Sequence, residues 1–333
     1  MRIGVIGAGS WGTTLANLLA KKGYDVRLWV YEADLAERMK ASRINDLYLP
    51  DTELSEQLQP TSDLAFAAAE REVLVLVSPS QVMRGVLEKL KPSLPHEALL
   101  ISAAKGIENK TLLTMSEVIE DVLGPKGACS AAFLSGPSFA KEVAKEMPTA
   151  VTVASQAESI ANKVQDLFST DYFRVYTNND VMGVELGGAL KNVIALAAGV
   201  SDGLGFGHNS RAALITRGLA EIARLGEAKG AHPATLSGLA GMGDLVLTCT
   251  GDLSRNRTVG VELGRGRKLK EVLGAMRMVA EGVKTTLSAY QLAEKLNVSM
   301  PITEQMHAIL YNDKDPHQAV YDLMLREPKA EGA

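Results

Sequence analysis

One lysine lies in one of the most apolar stretches of the sequence. Lys191 is preceded by LGGAL and followed, after one asparagine, by VIALAAGV. A helix that is apolar on nearly every side is a buried helix. Because burying an unpaired ammonium is costly and lowers its pKa, such a lysine is a candidate for proton transfer at a cleft. The alternative is a side chain that extends along the helix and brings its amino group to solvent.

A second polar cluster lies at 239–260, in LAGMGDLVLTCTGDLSRNRTVG. Asp244 stands between a glycine and an apolar run, a position that does not fit an open polar face. Ser254 can cap the helix predicted after it, which places Arg255 and Asn256 at the start of that helix. Such a position suits an anion, because a helix N-terminus attracts negative charge and a guanidinium binds phosphate oxygens with two hydrogen bonds. A solvated charged turn is the alternative interpretation.

Three glycines directly follow the first apolar run. Gly7, Gly9 and Gly12 form the pattern G-x-G-x-x-G between a strand predicted at 2–6 and a helix predicted at 13–22. The glycines allow a tight turn and a close approach of backbone N–H groups to a pyrophosphate, and the helix N-terminus adds positive potential. The pattern therefore predicts a dinucleotide site. A turn without a ligand remains the alternative, because glycine-rich turns are common.

The same region leaves the choice of dinucleotide open. NAD sites often place Asp or Glu about 20 residues past the glycine motif, at the end of the second strand, to bind the ribose 2′-hydroxyl. Glu32 has this spacing but lies beyond the predicted strand end at Val30, while Arg27 is inside the strand and Arg43 lies farther on. These residues do not decide between NADH and NADPH.

The elements that must position these residues follow from periodicity. Apolar runs alternate with helical patterns, and strands are predicted at 2–6, 25–30, 73–78, 98–106, 129–135, 149–155 and 173–177. Repeated strand–helix units imply an α/β fold with a doubly wound, Rossmann-type sheet. Ligands of such sheets bind at the carboxyl ends of the strands, and Lys105 and the loop 136–138 fall at such ends.

The second half of the chain shows helical patterns and no convincing strand. We therefore expect a dinucleotide-binding Rossmann domain over residues 1–178. An all-helical, substrate-binding and catalytic domain is expected over residues 179–333.

Composition excludes several classes of protein. Of the 333 residues 46% are hydrophobic and 22% charged, and the net charge of -4 gives no basic footprint for nucleic acid. Cys129 and Cys249 lie far apart, which fits a reducing cytoplasm better than a disulfide framework. We expect no membrane insertion. A signal peptide is the alternative interpretation of the N-terminus, although glycines interrupt its apolar run after five or six residues.

Long blocks of the sequence resemble the bacterial NAD(P)-dependent glycerol-3-phosphate dehydrogenases. In chain order they are GAGSWGTTLA, SAAKGIE, LSGPSFAKEV, GVELGGALKNVIALAAGVSDGLGFGHNSRAALITRG, LAGMGDLVLTCTGDLSRNRTVG and VAEGVKT. The resemblance runs from residue 1 to about 310. It implies interconversion of dihydroxyacetone phosphate and sn-glycerol 3-phosphate with NADPH or NADH (NADP+/NAD+), a role in glycerophospholipid synthesis, and a cytoplasmic homodimer.

The resemblance also implies roles for single residues. Lys191 matches the proton donor and acceptor, and no metal is expected. Substrate-binding positions are Lys105, Gly136, Ser138, Lys191, Asp244, Ser254, Arg255 and Asn256. Cofactor-binding positions are Gly7, Gly9, Ser10, Trp11, Gly12, Tyr31, Tyr48, Lys105, Ala140, Arg255, Val279 and Glu281. At Tyr31 the chain departs from the His or Arg of many relatives, which leaves cofactor preference open.

Three alternatives remain at this point. One is a dehydrogenase of similar build that acts on a β-hydroxy acid or a sugar acid. Another is a non-catalytic dinucleotide sensor, which would keep the glycines but would not need two lysines at a cleft. Within the enzyme hypothesis, His208 is the rival acid to Lys191.

Overall fold

The computed structural model describes residues 1–95, 97–276, 279–328 and 330–331. Its strands are β1 (Arg2–Ile6), β2 (Asp25–Trp29), β3 (Ile44–Asn45), β4 (Leu49–Glu53), β5 (Leu58–Thr61), β6 (Val73–Leu76), β7 (Leu99–Ser102), β8 (Ala131–Ser135), β9 (Thr149–Ala154) and β10 (Phe173–Asn178). Eight of them form one sheet in the order β10-β9-β8-β7-β6-β1-β2-β5, and β3 pairs with β4 in a separate hairpin. We call residues 1–178 the sheet region.

Six neighbouring strands of this sheet run parallel to one another, in the order β8, β7, β6, β1, β2 and β5. The runs VLVL of β6 and LLIS of β7 are buried throughout, as a parallel strand covered on both faces requires. Successive side chains serve opposite faces: Val5 packs in the core beneath α1, and Ile6 packs in the core on the other side. The predicted doubly wound fold is confirmed.

Two features of the sheet were not predicted. Strand β9 runs antiparallel to β8, and only the five-residue helix Ala140–Ala144 lies between them, too short to cover a face of the sheet in a parallel crossover. The short strands β3, β4 and β5 were also missed. Pro50 in β4 and Pro60 in β5 mask the strand pattern, since proline removes a donor from the ladder, and β3 has only two residues.

The helices of the sheet region are α1 (Ser10–Lys21), α2 (Ala33–Ser42), α3 (Leu64–Ala68), α4 (Met83–Leu90), α5 (Met115–Leu123), α6 (Pro125–Cys129), α7 (Ala140–Ala144) and α8 (Glu158–Phe168). We call residues 179–331 the helical region. It holds α9 (Val181–Gly203), α10 (His208–Ala228), α11 (Pro233–Leu236), α12 (Asp244–Thr250), α13 (Arg255–Gly264), α14 (Leu269–Gly274), α15 (Glu281–Leu296), α16 (Pro301–Tyr311) and α17 (Pro316–Met324). The predicted boundary at residue 178 stays a prediction, and positions 332 and 333 lie outside the described residues.

Helix α9 is the axis of the helical region. It packs against α10, α12, α13 and α15. Its crossing with α13 is very close: a Cβ on Gly199 or Gly203 would lie 2.9 Å from the Cα of Gly260 or Gly264 respectively. Because these four glycines let the two backbones touch, the start of α13 is fixed beside the middle of α9.

By length and composition α9 is apolar enough to cross a membrane, but 89% of its most apolar window is buried inside the protein. That burial is typical of a core helix. The lysine at its centre is therefore enclosed by protein, as the sequence indicated.

Candidate active site

A cleft of about 860 Å³ lies between the sheet region and the helical region. This volume is in the range of sites that hold cofactors and small ligands. The predicted site residues that line it are Gly7, Gly9, Ser10, Trp11, Gly12, Tyr31, Tyr48, Lys105, Ser138, Ala140, Lys191, Asp244, Ser254, Arg255, Asn256, Val279 and Glu281. Gly136 is buried behind this lining. The structure thus brings the predicted residues together, while their roles stay predictions.

The glycine turn forms the sheet-region wall of the cleft. Gly7 has a φ of +118°, a conformation that L side chains rarely adopt. A Cβ on Gly12 would overlap the carbonyl oxygen of Gly7, whereas a Cβ on Gly9 would meet nothing within 4 Å. The three positions therefore serve the turn, the helix–strand contact and an open face that a pyrophosphate can approach, which is the division of roles in dinucleotide sites. These residues fit a dinucleotide.

Helix α1 begins at Ser10, three positions before the predicted start at Thr13. The third glycine of the motif therefore lies in the first helical turn rather than before it. This is what brings Gly12 against the backbone of Gly7 and aims the helix N-terminus at the open face of the turn.

The remaining residues predicted to bind cofactor extend from this turn. Ser10 Oγ donates a hydrogen bond of 2.7 Å to the carbonyl oxygen of Tyr48. Tyr31 is 78% exposed, and its ring packs edge-on against Trp29 at 6.0 Å. The carbonyl oxygen of Ala140, at the start of α7, accepts a hydrogen bond from a threonine of α1.

The helical-region wall carries the buried lysine. Lys191 is 7% exposed, and its Nζ donates to Asp244 Oδ1 and, at 2.9 Å, to Thr248 Oγ1. Desolvation lowers the pKa of Lys191 to about 8, although the Asp244 carboxylate opposes that shift. The side chain thus reaches the cleft and not the outer surface.

A second lysine reaches the same carboxylate from the sheet region. Lys105 follows β7, and its Nζ donates to Asp244 Oδ2 at 2.5 Å and to the carbonyl oxygen of Gly136 at 3.0 Å. Gly136 has a φ of +135°, and a Cβ there would lie 2.9 Å from the Cα of Val151. Ser138 Oγ donates to the same Gly136 carbonyl at 3.0 Å, so the loop after β8 is tied to Lys105.

The third part of this wall is the start of α13. Ser254 caps the helix, because its Oγ accepts from the N–H of Arg257 at 3.3 Å. Asn256 is buried: its Nδ2 donates to Asn192 on α9, and its Oδ1 accepts from the N–H of Gly282 on α15, both at 2.9 Å. Asn256 therefore joins three helices at the cleft.

The side chain of Arg255 makes no hydrogen bond or ion pair within the part of the chain that the structure describes. Its guanidinium nevertheless lines the cleft. Burial lowers the pKa of Arg255, and the negative charge of Glu281 opposes that shift; burial also raises the pKa of the Glu281 carboxyl. Ser80 Oγ, from the sheet region, donates to Glu281 Oε2 at 2.7 Å and so closes the cleft at this end. Val279 lies two residues before Glu281 and is half exposed.

Several residues that line the cleft were not predicted from the sequence. Thr248 lies one helical turn after Asp244, and that four-residue spacing was an available signal. Ser80 and Asn192 had no such signal, because their partners lie far away in the chain. His208, the rival acid, is exposed at the start of α10 and does not line the cleft. Among the described residues no group of three or more His, Cys, Asp or Glu side chains could hold a metal ion.

Comparison with known families identifies the family to which the chain belongs. Residues 2–161 match the profile of the NAD-dependent glycerol-3-phosphate dehydrogenase N-terminus, and residues 180–321 match that of its C-terminus. The chain belongs to this dehydrogenase family. Its activity is that of a glycerol-3-phosphate dehydrogenase, an oxidoreductase that acts on a CH–OH group and uses NAD(P).

The relatives are similar over almost their whole length. A glycerol-3-phosphate dehydrogenase (NAD(P)+) of Syntrophotalea carbinolica is 65% identical over 331 residues, which cover 99% of each chain. One of Geobacter metallireducens is 66% identical and covers 99% of this chain and 98% of its own. The crystal structure of glycerol-3-phosphate dehydrogenase from Coxiella burnetii superposes with a TM-score of 0.94 at 43% identity, over 98% of this chain and 99% of that one.

These findings decide between the functions that the sequence left open. A dehydrogenase of β-hydroxy acids or sugar acids and a non-catalytic sensor are both wrong. This dehydrogenase takes sn-glycerol 3-phosphate as its substrate, and the cofactor is NAD(P)H as predicted. The family does not assign the roles of individual residues in this chain.

Proposed function

We propose that Lys191 is the general acid–base of this dehydrogenase and that Asp244 holds it in position. When bound, the nicotinamide cofactor supplies the hydride for reduction at C2. The carbonyl oxygen of dihydroxyacetone phosphate then gains negative charge and needs a proton. The observation that carries the proposal is the buried Nζ of Lys191 at the cleft, with a pKa lowered to about 8. A group that titrates near the working pH transfers protons effectively in both directions.

Lys105 supplies a second positive charge to the same oxygen. It approaches Asp244 from the opposite wall, so the two ammonium groups share one carboxylate. Because one carboxylate cannot neutralise two ammonium groups, part of their positive charge is left uncompensated. We propose that a substrate oxygen between the two lysines completes their hydrogen bonding. In this arrangement Lys191 transfers the proton and Lys105 orients and polarises the carbonyl.

The phosphate of the substrate is proposed to bind Arg255 at the start of α13. Support comes from Arg255 itself, whose side chain lines the cleft without a hydrogen bond or ion pair to the described residues, next to a capped helix N-terminus. Asn256 completes this end, with Ser254 fixing the first turn. A guanidinium binds phosphate oxygens with two hydrogen bonds, which suits this task.

In the cell we propose that the enzyme works mainly towards sn-glycerol 3-phosphate and feeds glycerophospholipid synthesis, as a cytoplasmic homodimer without membrane insertion or a nucleic-acid partner. Support comes from the resemblance to bacterial relatives and from the burial of α9, which uses its apolar surface in the core. Sedimentation analysis would measure the mass of the assembly, and a monomer would contradict the dimer.

The role of Lys191 is tested by Lys191→Ala. We expect turnover of dihydroxyacetone phosphate to fall roughly 10²–10⁴-fold, the usual contribution of a positioned acid or base. Cofactor affinity, measured by tryptophan fluorescence, should hardly change, because the glycine turn lies on the opposite wall.

The matched control is Lys295→Ala, which removes an exposed lysine at the end of α15, outside the cleft. Its turnover should equal that of the wild type. Near-normal turnover in Lys191→Ala would remove Lys191 from the mechanism.

A further inference from the structure

We propose that Glu32, held by Tyr48, accepts hydrogen bonds from the adenosine ribose diol and makes this dehydrogenase prefer NADH to NADPH. The inference deepens the proposed function by adding a residue that determines cofactor specificity. It rests on the cofactor cleft and is independent of the proton chemistry of Lys191.

The position of Glu32 is the first support. Strand β2 ends at Trp29, whose carbonyl oxygen accepts a hydrogen bond of 3.2 Å from the N–H of Gly7. The end of β2 is therefore tied directly to the glycine turn. Glu32 follows as the N-cap residue of α2 and lines the cleft. In dinucleotide folds an acidic residue about 20 residues past the motif binds the ribose 2′-hydroxyl, and Glu32 has this spacing.

The second support is that the carboxylate is held in place. Tyr48 OH donates to Glu32 Oε1 at 2.8 Å, and the backbone of Tyr48 is bonded on both sides. Its N–H donates to Asn45 Oδ1 at 3.0 Å, and its carbonyl accepts from Ser10 Oγ at 2.7 Å. Burial and the neighbouring carboxylate raise the pKa of Tyr48 to about 12, so it remains a donor at neutral pH. Glu32 Oε2 accepts no hydrogen bond from the described residues and is available to a ribose hydroxyl.

The third support is the use of the nearby arginines. An NADP site requires cations for the 2′-phosphate. Arg27 and Arg43 donate to backbone carbonyls, Arg38 is paired with two aspartates, and none of the three lines the cleft. Two exposed lysines, Lys89 and Lys141, line the cleft without a hydrogen-bonding partner among the described residues. They are the groups that would attract a 2′-phosphate if the inference is wrong.

The chemistry follows from charge. A ribose diol has two hydroxyl donors, and a carboxylate accepts from both. A 2′-phosphate has no such donor at neutral pH and carries a charge of about −1.5 to −2, which the carboxylate repels. The same residue therefore strengthens binding of one cofactor and weakens binding of the other.

The test uses the two adenosine-side fragments, ADP-ribose and 2′-phospho-ADP-ribose, so that the readout is binding and not turnover. Isothermal titration calorimetry should show that wild type binds ADP-ribose at least roughly tenfold more tightly than 2′-phospho-ADP-ribose, the value of one charge-assisted contact. We call this factor the affinity ratio. Glu32→Gln keeps the shape and the contact with Tyr48 but removes the charge. It should narrow the ratio about tenfold, partly by tighter binding of the phosphorylated fragment.

The matched control is Glu37→Gln, the same change on the outer surface of α2, where Glu37 pairs with Lys40. Its ratio of affinities for the two fragments should equal that of the wild type. This result would show that the change in Glu32→Gln does not come from the net charge of the protein. An unchanged ratio in Glu32→Gln would overturn the inference. So would tighter binding of the phosphorylated fragment by wild type that is lost in Lys89→Met or Lys141→Met. Failure of both fragments to bind would instead overturn the placement of the cofactor itself.

Discussion

The two walls of the cleft bind their ligands by different means. The sheet-region wall, which we call the glycine wall, is built around backbone: three glycines, a helix N-terminus and strand ends. Its charged side chains include Lys105, which reaches across the cleft to Asp244. The helical-region wall, which we call the charged wall, presents charged side chains. Lys191 and Asp244 are both buried, and the side chain of Arg255 makes no hydrogen bond or ion pair with the described residues. Backbone N–H groups suit a ligand that must only be held, whereas transfer of a proton needs groups that titrate.

The two walls also differ in what a substitution disrupts. The glycine wall depends on the absence of side chains at Gly7 and Gly12, so an added side chain there would overlap neighbouring backbone atoms. The charged wall depends on mutual compensation, so its failure mode is a buried charge without a partner. Substitutions on the first wall should therefore change folding and cofactor affinity, and those on the second should change substrate kinetics.

The largest effect that sharpens this comparison is expected for Gly12→Ala. Its methyl group would overlap the carbonyl oxygen of Gly7, and that backbone cannot retreat because the N–H of Gly7 is bonded to β2. We expect a loss of about 3 kcal/mol in the free energy of unfolding, near the upper range for overpacking. Urea denaturation followed by circular dichroism measures it.

Gly9→Ala is the matched control, because its methyl group meets nothing within 4 Å and the φ of Gly9 is −64°. Its unfolding free energy should stay near that of the wild type, while dinucleotide affinity falls. Equal losses of stability in both variants would contradict the separate roles of the two glycines.

A smaller effect is expected on the charged wall for Arg255→Ala. Loss of one charge-assisted contact should lower kcat/KM for dihydroxyacetone phosphate roughly tenfold, or about 1.4 kcal/mol. Arg255→Lys should recover part of this, because an ammonium keeps the charge but loses the planar fork. Steady-state assays at matched cofactor saturation measure both.

Unphosphorylated dihydroxyacetone is the control substrate for this variant. Its slow reduction should be nearly equal in the wild type and in Arg255→Ala, because it has no phosphate to lose. If kcat/KM falls by the same factor for both substrates, Arg255 serves the cofactor or the fold. The charged wall would then have no phosphate site at Arg255.

The two walls also differ in how far the sequence predicts them. The glycine wall is local: residues 2–29 carry strand, turn, helix and strand. The start of α1 was misplaced by three residues, and the ends of α1 and β2 by one residue each. On the charged wall the residue types were identified, but not their contacts. Lys191 and Asp244 are 53 positions apart, and Lys105 and Asp244 are 139 apart. No periodicity relates such distant positions, so a single carboxylate between two lysines became visible only in the fold.

Glu32 shows the opposite case, in which local sequence was available but incomplete. Its spacing from the glycines was correct, yet its place beyond the strand left its role open. The observations that support its proposed role are the hydrogen bond from Tyr48 and the location at the cleft, and the hydrogen bond depends on the segment between β3 and β4, which carries Tyr48. That hairpin was not predicted, because β3 has only two residues and β4 contains a proline.

The pH dependence of kcat/KM for dihydroxyacetone phosphate tests the central claim most directly, since the claim is that the charged wall transfers the proton. Reduction requires protonated Lys191, whose pKa is lowered to about 8, so the rate should fall as pH rises through that value. Oxidation of sn-glycerol 3-phosphate requires the neutral amine and should rise over the same range. Asp244→Asn removes the carboxylate that raises this pKa, so both midpoints should move to lower pH. Profiles whose midpoints are the same in the wild type and in Asp244→Asn would contradict the account.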